Sequence, residues 1–358
     1  MKKVRIVVYS IAALTMLIFL FVVFYIIIPG GFFKIIKPHF HGKVEKLSLP
    51  IAGPEDITID SQLQLVFVSC DDRRVNSIKP GSLQGGIFSI DLRDSSRQLR
   101  NITPPLRDFH PHGISLFRNE KDQLFLFAVN HRQNPKGHYI EKFEWRKDSL
   151  VHLESFADTI FMTSPNDVTA VSERAFYVTN DHGNVSGIER IIEEYLQLPR
   201  SYINYYDGEK FSKVATGIPY ANGINHSADG TKIFAGSPTG RKIIVYKRDI
   251  PTGTLKLEEE IFLDSGADNI EVDEDGNLWV GCHPKLLRFV ANSKDSTQNS
   301  PTQVLKVNYK PGASVVEEIF LNDGTQYSAS SVAAVSGPTL LIGSVFEKSL
   351  LWCTITEH

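Results

Sequence analysis

The chain has 358 residues, of which 42% are apolar and 22% charged, with a formal net charge of −3. That is material for one large globular domain or two ordinary ones. The near balance of acids and bases excludes a polycationic nucleic-acid surface, and three cysteines exclude a disulfide scaffold.

Residues 1–5 form a short basic tail, expected in the cytosol. From Ile6 to Pro29 no side chain is charged, and only Ser10 and Thr15 are clearly polar. This is the length needed to cross a bilayer as a helix, about 20 residues. A cleavable signal has an apolar region of roughly 7–15 residues and a small-residue cleavage site. Here Ile26-Ile27-Ile28 before Pro29 is a poor site, so a retained anchor over 6–29 is expected, with a cleaved signal as the alternative. Residues 30–44 form a connector. Downstream, Asn101-Ile-Thr103, Asn184-Val-Ser186 and Asn225-His-Ser227 are glycosylation sequons. They favour a single-pass topology with the following domain lumenal or extracellular, in the endoplasmic reticulum or plasma membrane.

Over residues 45–358 short apolar strands dominate. A polar turn followed by a β-rich run recurs at Asp60–Ser69, Asn119–Asn130, Ser172–Asn180, Ser227–Gly236, Asp273–Gly281 and Ser336–Val345. The spacing is that of propeller blades, so an all-β, six-bladed propeller is expected, with a β-sandwich as the alternative. Cys70 and Cys353 lie in the first and last repeats, where one bridge is conceivable, and Cys282 reads as a packed thiol.

Five turns carry the chemistry: Gly53-Pro54-Glu55-Asp56, Pro111-His112-Gly113-Ile114, Pro165-Asn166-Asp167, Ala221-Asn222-Gly223 and Ala267-Asp268-Asn269. Carboxylates backed by carboxamides, with no cysteine among them, suit a hard cation such as calcium. A propeller brings such strand ends together around its central channel. Neighbouring side chains on extended backbone point in opposite directions, so Glu55-Asp56 and Asn166-Asp167 predict two ions, one above the other. Glu55, Asn166, Asn222, Asp268 and Asn269 would hold the first. Asp56 and Asp167, with a backbone carbonyl near Ile114, would hold the second. Asp268 and Asn269 can share an ion only if the backbone turns between them. As single residues, Asn or Asp before Gly are more often turn formers. His112, between Pro111 and Gly113, and His131, after an apolar strand, supply imidazoles near the cation. One can take a proton from water while the other orients it. No Gly-x-Ser-x-Gly nucleophile elbow competes.

The motifs Pro111-His-Gly-Ile-Ser115, Val129-Asn-His131, Asn166-Asp-Val168, Thr179-Asn-Asp-His182, Ala221-Asn-Gly-Ile-Asn225, Asp268-Asn-Ile270 and Leu278-Trp-Val-Gly-Cys-His-Pro284 resemble the paraoxonase/arylesterase family, in order, over roughly residues 45–353. The resemblance implies a six-bladed propeller with two central calcium ions that hydrolyses lactones and aryl esters. It implies a catalytic ion on Glu55, Asn166, Asn222, Asp268 and Asn269, and a structural ion on Asp56, Asp167 and the Ile114 carbonyl. It further implies a His112–His131 dyad and a pocket lined by Tyr220, Asp181 and His283. The chain departs from the family in two places. No cysteine stands near residue 45 to pair with Cys353, and Cys70-Asp-Asp-Arg-Arg-Val75 puts a charged, aromatic-free loop where the family has its active-site lid. Some membrane-anchored relatives act as assembly factors or chaperones for membrane proteins. That is the non-catalytic alternative, and it would add a membrane-protein partner to the small-molecule ester or lactone.

Overall fold

The apolar N-terminus forms helix α1 (Lys2–Phe21), continued by a wider π-helical segment over Val22–Ile27, in a computed structural model that describes residues 2–356. The stretch Val4–Ile27 has a mean hydropathy of 2.8 and is not buried inside the protein. Length and composition therefore suffice to cross a bilayer. The helix ends at Gly30-Gly31. Gly31 adopts φ +73°, and a Cβ there would lie 2.1 Å from the Pro284 carbonyl oxygen, so only glycine lets the chain turn so close to the following domain. Lys34 then pairs with Asp264 (3.1 Å).

The rest is a ring of six antiparallel sheets. Their innermost strands are Pro54–Asp60, Pro111–Arg118, Pro165–Ala170, Ile224–His226, Gly266–Val272 and Ser330–Ser336. Each repeat found in the sequence becomes the turn and second strand of one blade. Leu65–Cys70, for example, pairs with Pro54–Asp60, and Leu278–His283 pairs with Gly266–Val272. Closure comes from the N-terminal side. Gly42–Ser48 pairs with Ser349–Ile355 as the outer strand of the last blade, and His39–Phe40 adds to the edge of the fifth. The ring thus takes in residues 39–44 of the expected connector, because the last blade supplies only three strands of its own.

Apolar side chains cluster at every blade-to-blade interface. Ile57, Val68 and Phe88 of blade one meet Val332, Leu341 and Trp352 of blade six, and Phe125, Phe127 and Val129 of blade two meet Val168 and Phe176 of blade three. At about 1.5–3 kcal/mol for each fully buried large apolar side chain, these seams hold the ring shut. Cys70, Cys282 and Cys353 are all buried and unpaired. Cys70 faces Pro54 and Cys353 faces Val44, so the Cys70–Cys353 bridge considered above does not form.

One irregularity recurs where the site will be. Five inner strands slip register near their start: between Pro54 and Asp56, Pro111 and Ile114, Pro165 and Val168, Ala267 and Ile270, and Ser330 and Ala333. Each is a bulge that re-aims consecutive side chains.

Candidate active site and metal centre

At the bulged ends of the inner strands lies a cavity of about 460 Å³. Its walls include Glu55, His112, Asn166, Asp181, Tyr220, Asn222, Asp268 and His283, contributed by five different blades. Residues separated by up to 228 positions in the chain are therefore neighbours. The outer wall is apolar, built from Leu286, Leu287, Phe289 and Val290 around the helix Leu286–Lys294, with Ile26 and Gly30 from the end of the N-terminal helix. A larger cavity of about 780 Å³, around Glu271, Lys306 and Glu317, lies toward the opposite ends of the inner strands and holds none of these groups.

Glu55 is the hub. Its Oε1 accepts from Asn269 Nδ2 (3.0 Å) and lies 3.5 Å from His112 Nε2, while Oε2 is 3.7 Å from Arg73. Burial raises the Glu55 carboxyl, but His112, Arg73 and the Asn269 amide outweigh it and bring it down to about 2. Asp268 Oδ2 pairs with His283 Nε2 (2.9 Å), whose ring stacks on Phe289 at 3.9 Å. Burial raises the Asp268 carboxyl in spite of His283. The register slips between Ala267 and Ile270, and there Asp268 lines the cavity while Asn269 reaches Glu55 beside it. His112 Nδ1 meets His131 Nε2 at 2.8 Å.

Beside the cavity, Asp181 Oδ1 holds His182 Nδ1 (2.6 Å) and accepts from Ser164 (2.5 Å). Burial raises the Asp181 carboxyl, but the His182 contact leads the effects that leave it below the usual range. Tyr220 packs edge-on against His182 and sits in the left-handed region at φ +58°, a conformation stored more often at functional sites than elsewhere.

Asp56 and Asp167 do not line the cavity. Asp56 accepts the amides of Ile57 (2.9 Å) and Ile114 (2.6 Å), and Asp167 those of Val168 (2.7 Å) and Ile224 (2.7 Å). Burial first, and neighbouring carboxylates second, push both well above the usual carboxylate range. Two buried acids in each other's field call for a proton or a cation. Ile114 thus contributes its amide to Asp56, in addition to any role for its carbonyl.

The donor set fits a hard cation. Four buried oxygens have no hydrogen-bond partner: Glu55 Oε2, Asn166 Oδ1, Asn222 Oδ1 and Asn269 Oδ1. Buried polar atoms are otherwise almost always satisfied, and these four belong to residues of one predicted ligand set. Among the described residues no three His, Cys, Asp or Glu side chains form a metal cluster by themselves, so an ion here would have to use the carboxamides.

Sequence reasoning missed several neighbours. Arg73 comes from the charged loop, which forms helix α2 (Arg73–Ile78), capped by Asp72 accepting from the Val75 amide (3.0 Å). The loop is pinned, with Asp71 bound to His110 (2.9 Å) and to Asn76 (3.0 Å). Ser331 donates to the Glu55 carbonyl (2.6 Å), a contact only the ring makes. Of the sequons, Asn101 is exposed. The Asn184 nitrogen donates to Glu193 (2.7 Å), and that of Asn225 is tied inside the inner strand to the Ile270 carbonyl (2.9 Å). The Asn225 nitrogen is therefore engaged in the folded ring.

A family model described as arylesterase matches residues 53–355. The chain belongs to the arylesterase family. Relatives include human serum paraoxonase/arylesterase 1, 36% identical over 307 residues (83% of this chain and 85% of that protein), and human serum paraoxonase/arylesterase 2, 33% identical over 308 residues (84% and 85%). Among solved structures, a protein described as a putative gluconolactonase superposes with a TM-score of 0.54 at 16% identity, covering 88% of this chain and 94% of its own. A luciferin-regenerating enzyme gives 0.55 at 14%, covering 87% and 95%. These distant likenesses concern the propeller fold.

Proposed function

We propose that this arylesterase-family chain is a calcium-dependent hydrolase of carboxylic esters and lactones. The observation that carries the reading is that Glu55, Asn166 and Asn222 line the same cavity as His112 and each keeps a buried oxygen without a hydrogen bond, as does Asn269 beside Glu55. Glu55, Asn166, Asn222, Asp268 and Asn269 would hold one calcium ion, and Asp56, Asp167 and the Ile114 carbonyl a second. Calcium held by the first set would supply polarisation of the substrate carbonyl and offset the charge that develops on its oxygen.

The chain's own groups do the rest. His112 Nε2 takes a proton from the attacking water, and Glu55, 3.5 Å away, stabilises the imidazolium that forms. His131 orients His112 through Nδ1. Tyr220, Asp181 and His283 line the pocket around the acyl group. The apolar wall of Leu286, Leu287, Phe289 and Val290 favours aromatic or alkyl leaving groups and excludes water from the reacting face.

We further propose that the N-terminal helix is a retained signal anchor and that the propeller is lumenal or extracellular. Ile26 and Gly30 are part of the cavity wall, a placement that a cleaved signal would forfeit. Asn101, and not Asn184 with its engaged nitrogen, is the better glycan acceptor.

The test is a panel of phenyl acetate and γ- and δ-lactones, given to the full-length protein in detergent with calcium and after chelation. Turnover that is lost on chelation and returns with calcium is expected. A rate indifferent to chelation, or no turnover of any ester or lactone by well-folded calcium-loaded protein, would defeat the proposal.

A further inference from the structure

We propose that His138 completes a chain of three imidazoles that carries protons between His112 in the cavity and solvent; it acts as a positioning and relay residue behind the base, and the proposal rests on the hydrolase reading above. The strands Leu124–Gln133 and Lys136–Arg146 form a hairpin whose register sets His131 directly opposite His138. The two Nδ1 atoms are 2.8 Å apart and the rings are perpendicular, at 90°. On its other side His131 Nε2 meets His112 Nδ1, also at 2.8 Å. His138 is half-buried, two residues from the exposed Asn134–Lys136 turn. Burial lowers both His131 and His138 below the ordinary imidazole value, which favours the neutral rings.

Each of the two ring-to-ring contacts has room for one proton, so a neutral chain has two arrangements. In the first, His112 carries its proton on Nδ1 and donates to His131 Nε2. His131 carries its own on Nδ1 and donates to His138 Nδ1, and His138 is protonated on Nε2. This arrangement leaves the His112 Nε2 lone pair bare toward the cavity, as a base requires. When His112 Nε2 takes a proton from water, the O–H bond breaks and an N–H bond forms. The His112 Nδ1 proton passes to His131 Nε2, and the His131 Nδ1 proton passes to His138 Nδ1. The Nε2 proton of His138 then leaves to solvent. The result is the second arrangement, still neutral. Protonation of the leaving alkoxide by His112 Nε2–H runs the same steps backwards, with His138 Nε2 regaining a proton from solvent. His138 therefore sets which nitrogen of His131, and through it of His112, is bare.

The test uses full-length protein in detergent micelles with saturating calcium and phenyl acetate in dilute, non-imidazole buffer. For His138→Ala, kcat should fall about tenfold with KM unchanged, and added imidazole should restore it. His112→Gln should not be restored. A kcat within about twofold of wild type, or a loss that imidazole leaves untouched, overturns the relay. Nitrogen-15 NMR of labelled histidines gives a readout independent of turnover. His131 should be the Nδ1–H tautomer in the wild type and shift toward Nε2–H in His138→Phe, and an unchanged tautomer overturns the proposed proton order. A wild type that turns over no ester defeats the hydrolase reading instead, and the tautomer measurement then decides the proton order alone.

Discussion

Asn222 offers the sharpest test of the metal centre, because its side-chain oxygen is buried without a partner while its backbone amide is satisfied by the Gly236 carbonyl (2.9 Å). A buried, unsatisfied polar atom costs about 1–3 kcal/mol, so the three orphaned carboxamide oxygens of Asn166, Asn222 and Asn269 carry roughly 3–9 kcal/mol of cost that a cation would recover. Replacing Asn222 by Ala removes one orphan and leaves the backbone bond intact. In chelator, the variant should be as stable as wild type or up to about 1 kcal/mol more so, the relief being partly offset by lost packing. With calcium the sign reverses. A hundredfold weaker site loses about 2.7 kcal/mol of ligand-linked stability, which is about 4 °C in Tm for a domain of this size. The assay is thermal unfolding of the full-length protein in millimolar calcium and in EGTA. An equal fall in both conditions would mean that Asn222 is a structural turn residue, and the metal assignment would fail with it.

His112→Gln should abolish hydrolysis of every ester and lactone tried while leaving the calcium-induced rise in Tm intact; parallel loss of both would recast His112 as structural. Burial pushes the His226 imidazole down to about 4. The unfolded chain therefore takes up that proton first as pH falls, so this contribution is whole above about pH 7 and drains between about 6.5 and 4. It is worth about 3 kcal/mol at most, and His226→Gln should flatten the stability profile in that window and nowhere above it. Val44 stands directly across from Cys353, and opposed strand positions lie about 4.5–5.5 Å apart at Cα, within disulfide range. Val44→Cys should oxidise to a bridge that locks the closing strand and stabilises the ring by about 3–5 kcal/mol, and an unchanged Tm under oxidising conditions would show that strand closure does not limit unfolding. Ile26→Ser should raise KM several-fold for bulky alkyl esters and leave phenyl acetate unaffected. Equal effects on both would detach the helix from the substrate wall.

The ring and the meeting of its polar turns at one cavity were legible because both depend on local patterns. Six turn-plus-strand repeats announce blades, and oxygen-bearing residues at strand ends announce a channel site. What stayed hidden depends on register. The slip between Ala267 and Ile270, on which Asp268 and Asn269 sit, has no marker in the sequence. The ties of Asn225 to Ile270 and Glu271 are made across blades, so its sequon looked accessible. His138 was within reach. It and His131 are equidistant from the Asn134-Pro135 turn, and a hairpin centred there must oppose them. Arg73 needed the fold of the charged loop, which composition alone left blank.

The bulges explain why the motifs at the candidate site come as two kinds of triplet. Glu55-Asp56-Ile57 and Asn166-Asp167-Val168 each place one side chain toward the cavity and the next beneath it, and the third residue's amide caps its own aspartate (2.9 and 2.7 Å). The blade that follows each carries the complement: His112-Gly113-Ile114 after the first, Asn222-Gly223-Ile224 after the second. In both, the first residue faces the cavity and the isoleucine amide caps the preceding blade's aspartate (2.6 and 2.7 Å). The middle residue must be glycine, because a Cβ at Gly113 would lie 2.1 Å from Asp167 Oδ1 and one at Gly223 would lie 2.5 Å from Asn269 Cα. A lower-tier carboxylate on one blade thus takes an amide from the next, and the glycine before that amide leaves room for the blade after it. This pairing makes the two tiers inseparable: a side chain at Gly113 displaces Asp167, and with it the segment that aims Asn166 into the cavity.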